Sequence, residues 1–90
     1  MTETPLEVVN RLGLHARAAA KLVQLAAGFE SRVTLLSVDG EEIDAKSILG
    51  ILLLAAGQGT RLTLRCDGPD EERAGAAIGA LFAERFGEGE

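Results

Sequence analysis

The single histidine of the chain lies in residues 13–17, between a glycine and an arginine, at the start of a predicted helix. Backbone N–H groups at the start of a helix have no partner inside the helix, so they bind anions. Their partial positive charge also disfavours an imidazolium ion, which keeps His15 neutral and nucleophilic. The Arg17 guanidinium can donate paired hydrogen bonds to a phosphoryl group. These residues predict a histidine that is loaded covalently with an anionic group and then hands it on.

Other kinds of site are excluded by residues that the sequence lacks. No serine or aspartate is fixed near His15 by spacing to complete a catalytic triad, and no glycine-rich Walker loop is present. One histidine and one cysteine cannot complete a zinc site, an iron–sulfur site or a disulfide framework. We therefore expect no metal and no cofactor, and we expect Cys66 to be a small core residue.

The overall charge and the polar N-terminus limit the possible environment and partners. Nine basic and fourteen acidic residues give a net charge of −5, which argues against a nucleic-acid partner. An unpaired thiol suits a reducing compartment, and residues 1–5 lack the features of a secretory signal. The longest apolar run, residues 48–56, is shorter than the roughly 20 residues that span a bilayer. We expect one domain over residues 1–90, cytoplasmic and not inserted in a membrane.

The basic residues are concentrated in two stretches without acidic residues, 8–29 and 45–66. Six of the nine basic residues lie in these stretches: Arg11, Arg17, Lys21, Lys46, Arg61 and Arg65. If the two stretches meet in space, an otherwise acidic protein carries a positive face that suits an anion. The alternative is that the clustering arises by chance in a short chain.

Hydrophobic periodicity predicts the element order β-α-β-β-α-β-α. The predicted strands cover residues 6–9, 32–38, 41–44 and 61–66, and the predicted helices cover residues 16–27, 48–54 and a segment after Asp70. The last helix has an apolar stripe formed by Ala74, Ala77, Ile78, Leu81 and Phe82. This order predicts an α+β sandwich in which three helices pack on one face of a mainly antiparallel sheet of four strands and the other face is open to solvent.

Short polar and glycine signals predict the turns and the helix ends. Asp39-Gly40 indicates a type I′ hairpin turn, in which both central residues need a positive φ. Ser47 and Asp70 are predicted to cap the second and third helices with their side-chain oxygens. Arg85 is predicted to lie in the last turn of the third helix, where a cation complements the helix dipole.

The second predicted helix, residues 48–54, is apolar on nearly every side. Two helical turns cannot bury all of these side chains in a domain this small, so we expect Ile51 and Leu54 in the core. Ile48, Leu49 and Leu52 would then form an exposed patch of the kind that binds other proteins. The alternative is a helix that is buried on all sides.

The sequence resembles the HPr family, the histidine phosphocarrier proteins of the bacterial phosphoenolpyruvate-dependent phosphotransferase system. The motifs that carry the resemblance are Gly13-Leu14-His15-Ala16-Arg17, Gly28-Phe29, residues 45–50 (AKSILG) and residues 57–60 (GQGT). They occur in family order and with family-like spacing along essentially the whole chain. The resemblance implies the open-faced sandwich of HPr, the same element order as the periodicity predicts.

The resemblance implies a stoichiometric phosphocarrier rather than an enzyme. Phospho-enzyme I would donate its phosphoryl group to Nδ1 of His15, and a histidine of an EIIA-type domain would receive it for sugar uptake. Arg17 and the backbone N–H of Ala16 would stabilise the phosphate. Docking would use Ala20, Lys21 and Gln24 of the first helix together with Ile48, Leu49 and Leu52 of the second. A monomer suits a protein that presents one face to successive partners.

Three positions leave alternatives open. Family members usually have proline where this chain has Ala18, and a polar residue where it has Leu12. These departures keep open a carrier in a regulatory, nitrogen-type phosphorelay, and a more distant alternative is a non-covalent binding domain on the same fold. Ser47 is either an ordinary helix cap or, in addition, a site for an HPr kinase/phosphorylase.

Overall fold

The chain folds in the predicted order, as seen in a computed structural model that describes residues 1–88. The strands are β1 (Thr2–Glu7), β2 (Arg32–Ser37), β3 (Glu42–Asp44) and β4 (Arg61–Asp67). The helices are α1 (Ala16–Ala27), α2 (Ile48–Leu54) and α3 (Glu71–Ala83), followed by a 3-10 turn over Arg85–Gly87. No helix within residues 1–88 is both long enough and apolar enough to cross a membrane.

The four strands form one antiparallel sheet, as predicted, and their order in the sheet is β1-β4-β2-β3. Alternate residues of β4 are buried, so that Leu62, Leu64 and Cys66 face the helices while Arg61 and Arg65 face away from them. The register places Leu64 beside Leu35 of β2. One face of the sheet is therefore covered by helices and the other is open.

The core lies between the sheet and the helices. The buried residues of α1 are Ala18, Ala19, Leu22 and Ala26, and those of α3 are Ala74, Gly75, Ile78 and Phe82. The rings of Phe82 and Phe86 pack with their centroids 4.9 Å apart, which fixes the C-terminal turn against the core. Cys66 is fully buried, as expected, and burial raises the pKa of its thiol.

The first strand begins four residues earlier and ends two residues earlier than predicted, since it covers Thr2–Glu7 instead of residues 6–9. Its N-terminal half is polar, and it contains Pro5, which lacks a backbone N–H. An edge strand tolerates both features, because one side of its backbone needs no partner. Pairing with β4 along the full length of β1, rather than apolar periodicity, sets its bounds.

The hairpin between β2 and β3 does not contain the predicted type I′ turn. Gly40 has a φ of +90°, but Asp39 does not have a positive φ. The loop is instead closed by a hydrogen bond from Ser37 N to Glu41 O (2.9 Å) and by one from Gly40 N to Ser37 O (3.1 Å). The hydroxyl of Ser37 also contacts the Asp39 carboxylate, so local side-chain bonding favours a longer loop.

The helix-end predictions succeed for α2 and fail for α3. Ser47 caps α2, since its hydroxyl accepts a hydrogen bond from Gly50 N (3.2 Å). Asp70 precedes α3 but does not cap it, because its carboxylate accepts hydrogen bonds from Ser31 and Glu30, which hold its pKa at about 2. Arg85 lies beyond the end of α3, in the 3-10 turn.

Candidate functional site

His15 is the N-cap residue of α1, at the position predicted from the sequence. Its backbone is extended (φ −74°, ψ 179°), and its carbonyl accepts the hydrogen bond of Ala19 N (2.8 Å) that opens the helix. Its side chain makes no capping hydrogen bond and is 27% exposed. The imidazole therefore sits at the positive end of the helix dipole, within reach of another molecule.

The loop that carries His15 is held against the start of the α2–β4 connection. Leu14 is buried, and its backbone N–H donates to Ala56 O (2.9 Å). Gly13 has a φ of +69°, and a Cβ on it would lie 2.5 Å from Ala56 O and 2.9 Å from Gly57 Cα. Only glycine fits this close approach of two backbones. The glycine of the motif thus fixes the position of the histidine relative to α2.

A buried asparagine, Asn10, supports the same loop, and the sequence analysis missed it. Its side-chain Nδ2 donates to Gly13 O (2.7 Å), and its backbone carbonyl oxygen accepts from Gly13 N (3.2 Å). The side chain is fully buried, and no partner within residues 1–88 reaches its Oδ1. The available sequence signal for this turn was an asparagine that directly follows the predicted strand 6–9 and precedes a glycine by three residues.

A carboxylate from the far end of the chain lies against the histidine ring. Glu88 contacts His15 Nε2 through Oε2 and accepts a hydrogen bond from Asn10 Nδ2 through Oε1 (2.9 Å). The bonds from Asn10 and from His15 lower the pKa of Glu88, so the carboxylate stays ionised at neutral pH. No local sequence signal could reveal this pair, because 73 positions separate its two residues.

Positive charge surrounds a recess of about 290 Å³ beside Glu88. The recess is lined by Arg11, Leu12, Arg17, Lys21, Gly87 and Glu88. Lys21 Nζ donates to Phe86 O (2.6 Å), which holds this cation at the rim. Arg17 is exposed and forms no ion pair with a carboxylate within residues 1–88. Its guanidinium can therefore bind an incoming anion without breaking an existing pair.

The basic residues of the two acid-free stretches do not gather on one face, so the alternative of a single positive face is wrong. Arg65, from the second stretch, pairs with Glu3 (2.9 Å) and Glu42 (3.6 Å) on the open face of the sheet. Arg61 lies on the same face, 3.9 Å from Glu7. The alternation of side chains along β4 turns both arginines away from the helices. The cations that line the recess, Arg11, Arg17 and Lys21, belong to the first stretch.

The helix α2 presents an apolar patch to solvent, as predicted. The exposed fractions are 44% for Ile48, 65% for Leu49, 39% for Leu52 and 76% for Leu53. Because these four side chains are exposed, the alternative of a wholly buried helix is wrong. Of the two residues expected in the core, Ile51 is fully buried and Leu54 is half-buried. The prediction missed Leu53, the most exposed of the four. We call Ile48, Leu49, Leu52 and Leu53 the α2 patch.

The predicted docking residues of α1 belong to a helix that packs against α2. Lys21 and Gln24 are exposed and Ala20 is half-buried, and α1 and α2 pack against each other. The loop of His15 joins the two helices, because Leu14 bonds to Ala56 just beyond the end of α2. A partner that covers both helices would therefore meet the imidazole between them.

Comparison with known proteins places the chain in a family. Residues 2–84 match the family model described as "PTS HPr component phosphorylation site". The phosphocarrier protein HPr of Cupriavidus necator is 54% identical over 90 residues, which is the full length of both chains. The phosphocarrier protein NPr of Escherichia coli is 41% identical over 83 residues, or 92% of each chain.

Solved structures agree in fold. HPr-C-His from Thermoanaerobacter tengcongensis superposes with a TM-score of 0.93 at 41% identity, covering 98% of each chain. HPr from Bacillus anthracis gives a TM-score of 0.83 at 38% identity, over 88% of this chain and 93% of that one. The chain belongs to the HPr family, the phosphocarrier proteins of the phosphotransferase system.

Proposed function

We propose that His15 accepts a phosphoryl group from phospho-enzyme I and passes it to a histidine of an EIIA-type domain in sugar uptake. The observation that carries the proposal is the position of the His15 ring, which is part-exposed at the start of α1 and is not used as a helix cap. A histidine placed there for stability alone would be expected to cap the helix or to be buried.

The transfer needs a nitrogen lone pair and no cofactor. Nδ1 of His15 attacks the phosphorus, and the new N–P bond forms as the bond between phosphorus and the donor breaks, with its electron pair staying on the donor. In the second step the acceptor histidine attacks the phosphorus, and the N–P bond to His15 breaks with its electron pair returning to Nδ1. Each step is a displacement at phosphorus, so the protein contributes mainly orientation and charge stabilisation.

Arg17 and the backbone N–H of Ala16 are the groups proposed to stabilise the transferring phosphoryl oxygens. Arg17 is exposed at the rim of the recess, and Ala16 is the first residue of α1, where N–H groups lack helical partners. Such donors act most strongly on charge that develops in the transition state. Since Arg17 is exposed to solvent, it would hold the product only moderately, which permits onward transfer.

The docking surface proposed for both partners is the α2 patch together with Ala20, Lys21 and Gln24. The apolar residues of α2 and the exposed cation Lys21 of α1 fit a partner with an apolar surface and an acidic rim. A monomer in the cytoplasm could present this face to each partner in turn. Phosphorylation of Ser47 by an HPr kinase/phosphorylase would place negative charge at the edge of this face and weaken binding to an acidic partner.

The regulatory, nitrogen-type carrier is the less favoured alternative. Similarity to HPr of Cupriavidus necator is 54% over the whole chain, whereas similarity to NPr of Escherichia coli is 41% over 92% of it. The sugar-type carrier is therefore the better supported of the two.

Loading of the purified chain by phosphoenolpyruvate and enzyme I tests the proposal directly. We expect one acid-labile, alkali-stable phosphate on His15, detected by intact-mass and peptide analysis, and none on His15→Ala. His15→Ala should fold normally by circular dichroism, because the side chain makes no cap bond. Phosphate retained on His15→Ala, or no phosphate on the wild type, would contradict the proposal. Full cellular activity of His15→Ala would support the non-covalent binding domain instead.

A further inference from the structure

The contact between Glu88 and His15 is not explained by the phosphate-binding role of the site. Glu88 lies outside residues 2–84, the part that matches the family model. Its carboxylate nevertheless reaches back to the single histidine and is only 11% exposed there. A carboxylate beside a phosphate-accepting group adds repulsion towards the phosphate. Its presence therefore needs a separate physical reason.

The carboxylate determines which ring nitrogen carries the proton. A neutral imidazole has one N–H and one lone pair, and an ionised carboxylate can only accept hydrogen bonds. The contact of Glu88 with Nε2 therefore favours the tautomer with the proton on Nε2. In the other tautomer, two lone pairs would face each other. Nδ1 is left unprotonated, with its lone pair available.

Glu88 is itself held in place by Asn10. The amide of Asn10 donates to Gly13 O (2.7 Å) and to Glu88 Oε1 (2.9 Å), and its side chain is fully buried. The other oxygen of the same carboxylate faces the ring of His15. The loop of His15, the buried amide and the C-terminal carboxylate thus form a continuous chain of contacts, which fixes the orientation of the ring.

We propose that Glu88 is a positioning residue that holds His15 as the Nε2–H tautomer, so that Nδ1 can attack phosphorus without first losing a proton. The consequence for transfer rests on the proposed function, whereas the effect on the ring does not. The cations that line the adjacent recess, Arg11, Arg17 and Lys21, offset the charge that Glu88 adds near the incoming phosphate.

The ring itself provides the first test, without any donor protein. Nitrogen-15 NMR of the His15 ring, at a pH where it is neutral, would compare wild type with Glu88→Ala, Glu88→Gln and the control Glu84→Ala. Glu84 is an exposed acid near the same end of the chain. In Glu88→Ala the ratio of Nδ1–H to Nε2–H tautomer should rise about tenfold, the value of one hydrogen bond to a charged group.

The outcome of the ring measurement is decisive in either direction. Glu88→Gln keeps an acceptor oxygen without the charge, so we expect a value between wild type and Glu88→Ala. Glu84→Ala should match wild type, and circular dichroism should show that all variants fold. An unchanged tautomer ratio in Glu88→Ala, or an equal shift in Glu84→Ala, would overturn the proposal.

The rate of phosphoryl transfer from phospho-enzyme I provides the second test. We expect kcat/KM to fall about tenfold in Glu88→Ala, with partial recovery in Glu88→Gln and no change in Glu84→Ala. A tautomer shift without any loss of rate would refute the role of Glu88 in transfer. If wild type accepts no phosphate, the proposed function fails, and the ring measurement still decides whether Glu88 sets the tautomer.

Discussion

Arg17 and Arg65 come from the two acid-free stretches of the sequence, but their electrostatic environments differ. Arg65 lies on the open face of the sheet and pairs with Glu3 at 2.9 Å and Glu42 at 3.6 Å. Arg17 lines the recess near His15 and has no carboxylate partner within residues 1–88. Arg65 is therefore paired within the fold, whereas Arg17 can bind a ligand from outside the chain. The same difference separates buried Ile51 from exposed Leu53 on α2.

Replacing Arg17 should have the largest effect, which is on the rate of phosphoryl transfer. Arg17→Ala should slow phosphoryl transfer by about 100-fold, as expected for one lost donor to transition-state charge. Stability should not change, since the side chain is exposed and forms no ion pair with a carboxylate of residues 1–88. Quench-flow transfer rates and thermal unfolding check this, with Arg65→Ala as the matched control. If Arg17→Ala unfolds, or if Arg65→Ala slows transfer equally, the contrast between the two arginines is wrong.

A substitution at Gly13 tests the backbone contact that holds the loop of His15 against Ala56 and Gly57, just beyond α2. Gly13→Ala should lower the free energy of unfolding by about 2 kcal/mol, because alanine is strained at a φ of +69° and its Cβ would contact Ala56 O. Gly79→Ala is the control, since nothing lies within 4 Å of a Cβ there. That change should stabilise α3 by about 1 kcal/mol. Urea unfolding of both variants measures the difference, and an unchanged midpoint for Gly13→Ala would contradict the argument.

The two sides of α2 extend the comparison to apolar residues. Leu53→Ser should leave stability unchanged and weaken binding to enzyme I about tenfold, the loss expected when one large apolar side chain no longer contributes to an interface. Ile51→Ala should instead lower the free energy of unfolding by about 3 kcal/mol, because it leaves a cavity in the core. Calorimetric titration and thermal unfolding separate the two effects. Unaltered affinity of Leu53→Ser would place the docking surface elsewhere.

Replacing Arg65, which is paired with carboxylates, should have the smallest effect, which is on stability. Arg65→Ala should cost less than about 1 kcal/mol of stability, because its partners lie on a solvated face and exposed ion pairs are weak. The difference from wild type should shrink as salt screens the pairs. Unfolding at low and high ionic strength measures it. A larger cost that is insensitive to salt would mean that packing, not charge, gives Arg65 its role.

The sequence predicted the elements well wherever one periodic pattern extended over several residues. The bounds of α1 and α2 agree with the prediction, and the alternation in β4 identified its buried face. Apolar stripes of this kind can be buried in only one way, so tertiary packing follows them. The prediction missed residues 2–5 of the edge strand β1, because these residues carry no apolar alternation and are held in the strand by pairing with β4.

Predictions that depended on one or two residues succeeded or failed according to their neighbours in space. The hydroxyl of Ser47 accepts the capping hydrogen bond from Gly50 N, whereas the carboxylate of Asp70 is bound by Ser31 and Glu30, about 40 positions away. Asp39 bonds to Ser37, and the loop then lengthens beyond the predicted turn. Short polar side chains can satisfy several nearby groups, so a local signal fixes only one of several outcomes.

By itself, the sequence determined the element order, the position of His15 at the start of α1 and the apolar excess of α2, because each follows from residues close together in the chain. Only the tertiary structure decided that Arg65 pairs with carboxylates whereas Arg17 has none within residues 1–88, that Asn10 supports the loop and that Glu88 reaches the imidazole. These contacts join residues up to 78 positions apart, and their energy is gained only once the sheet and helices have brought them together. The lone histidine was readable from the sequence, while the environment of its two nitrogens was not.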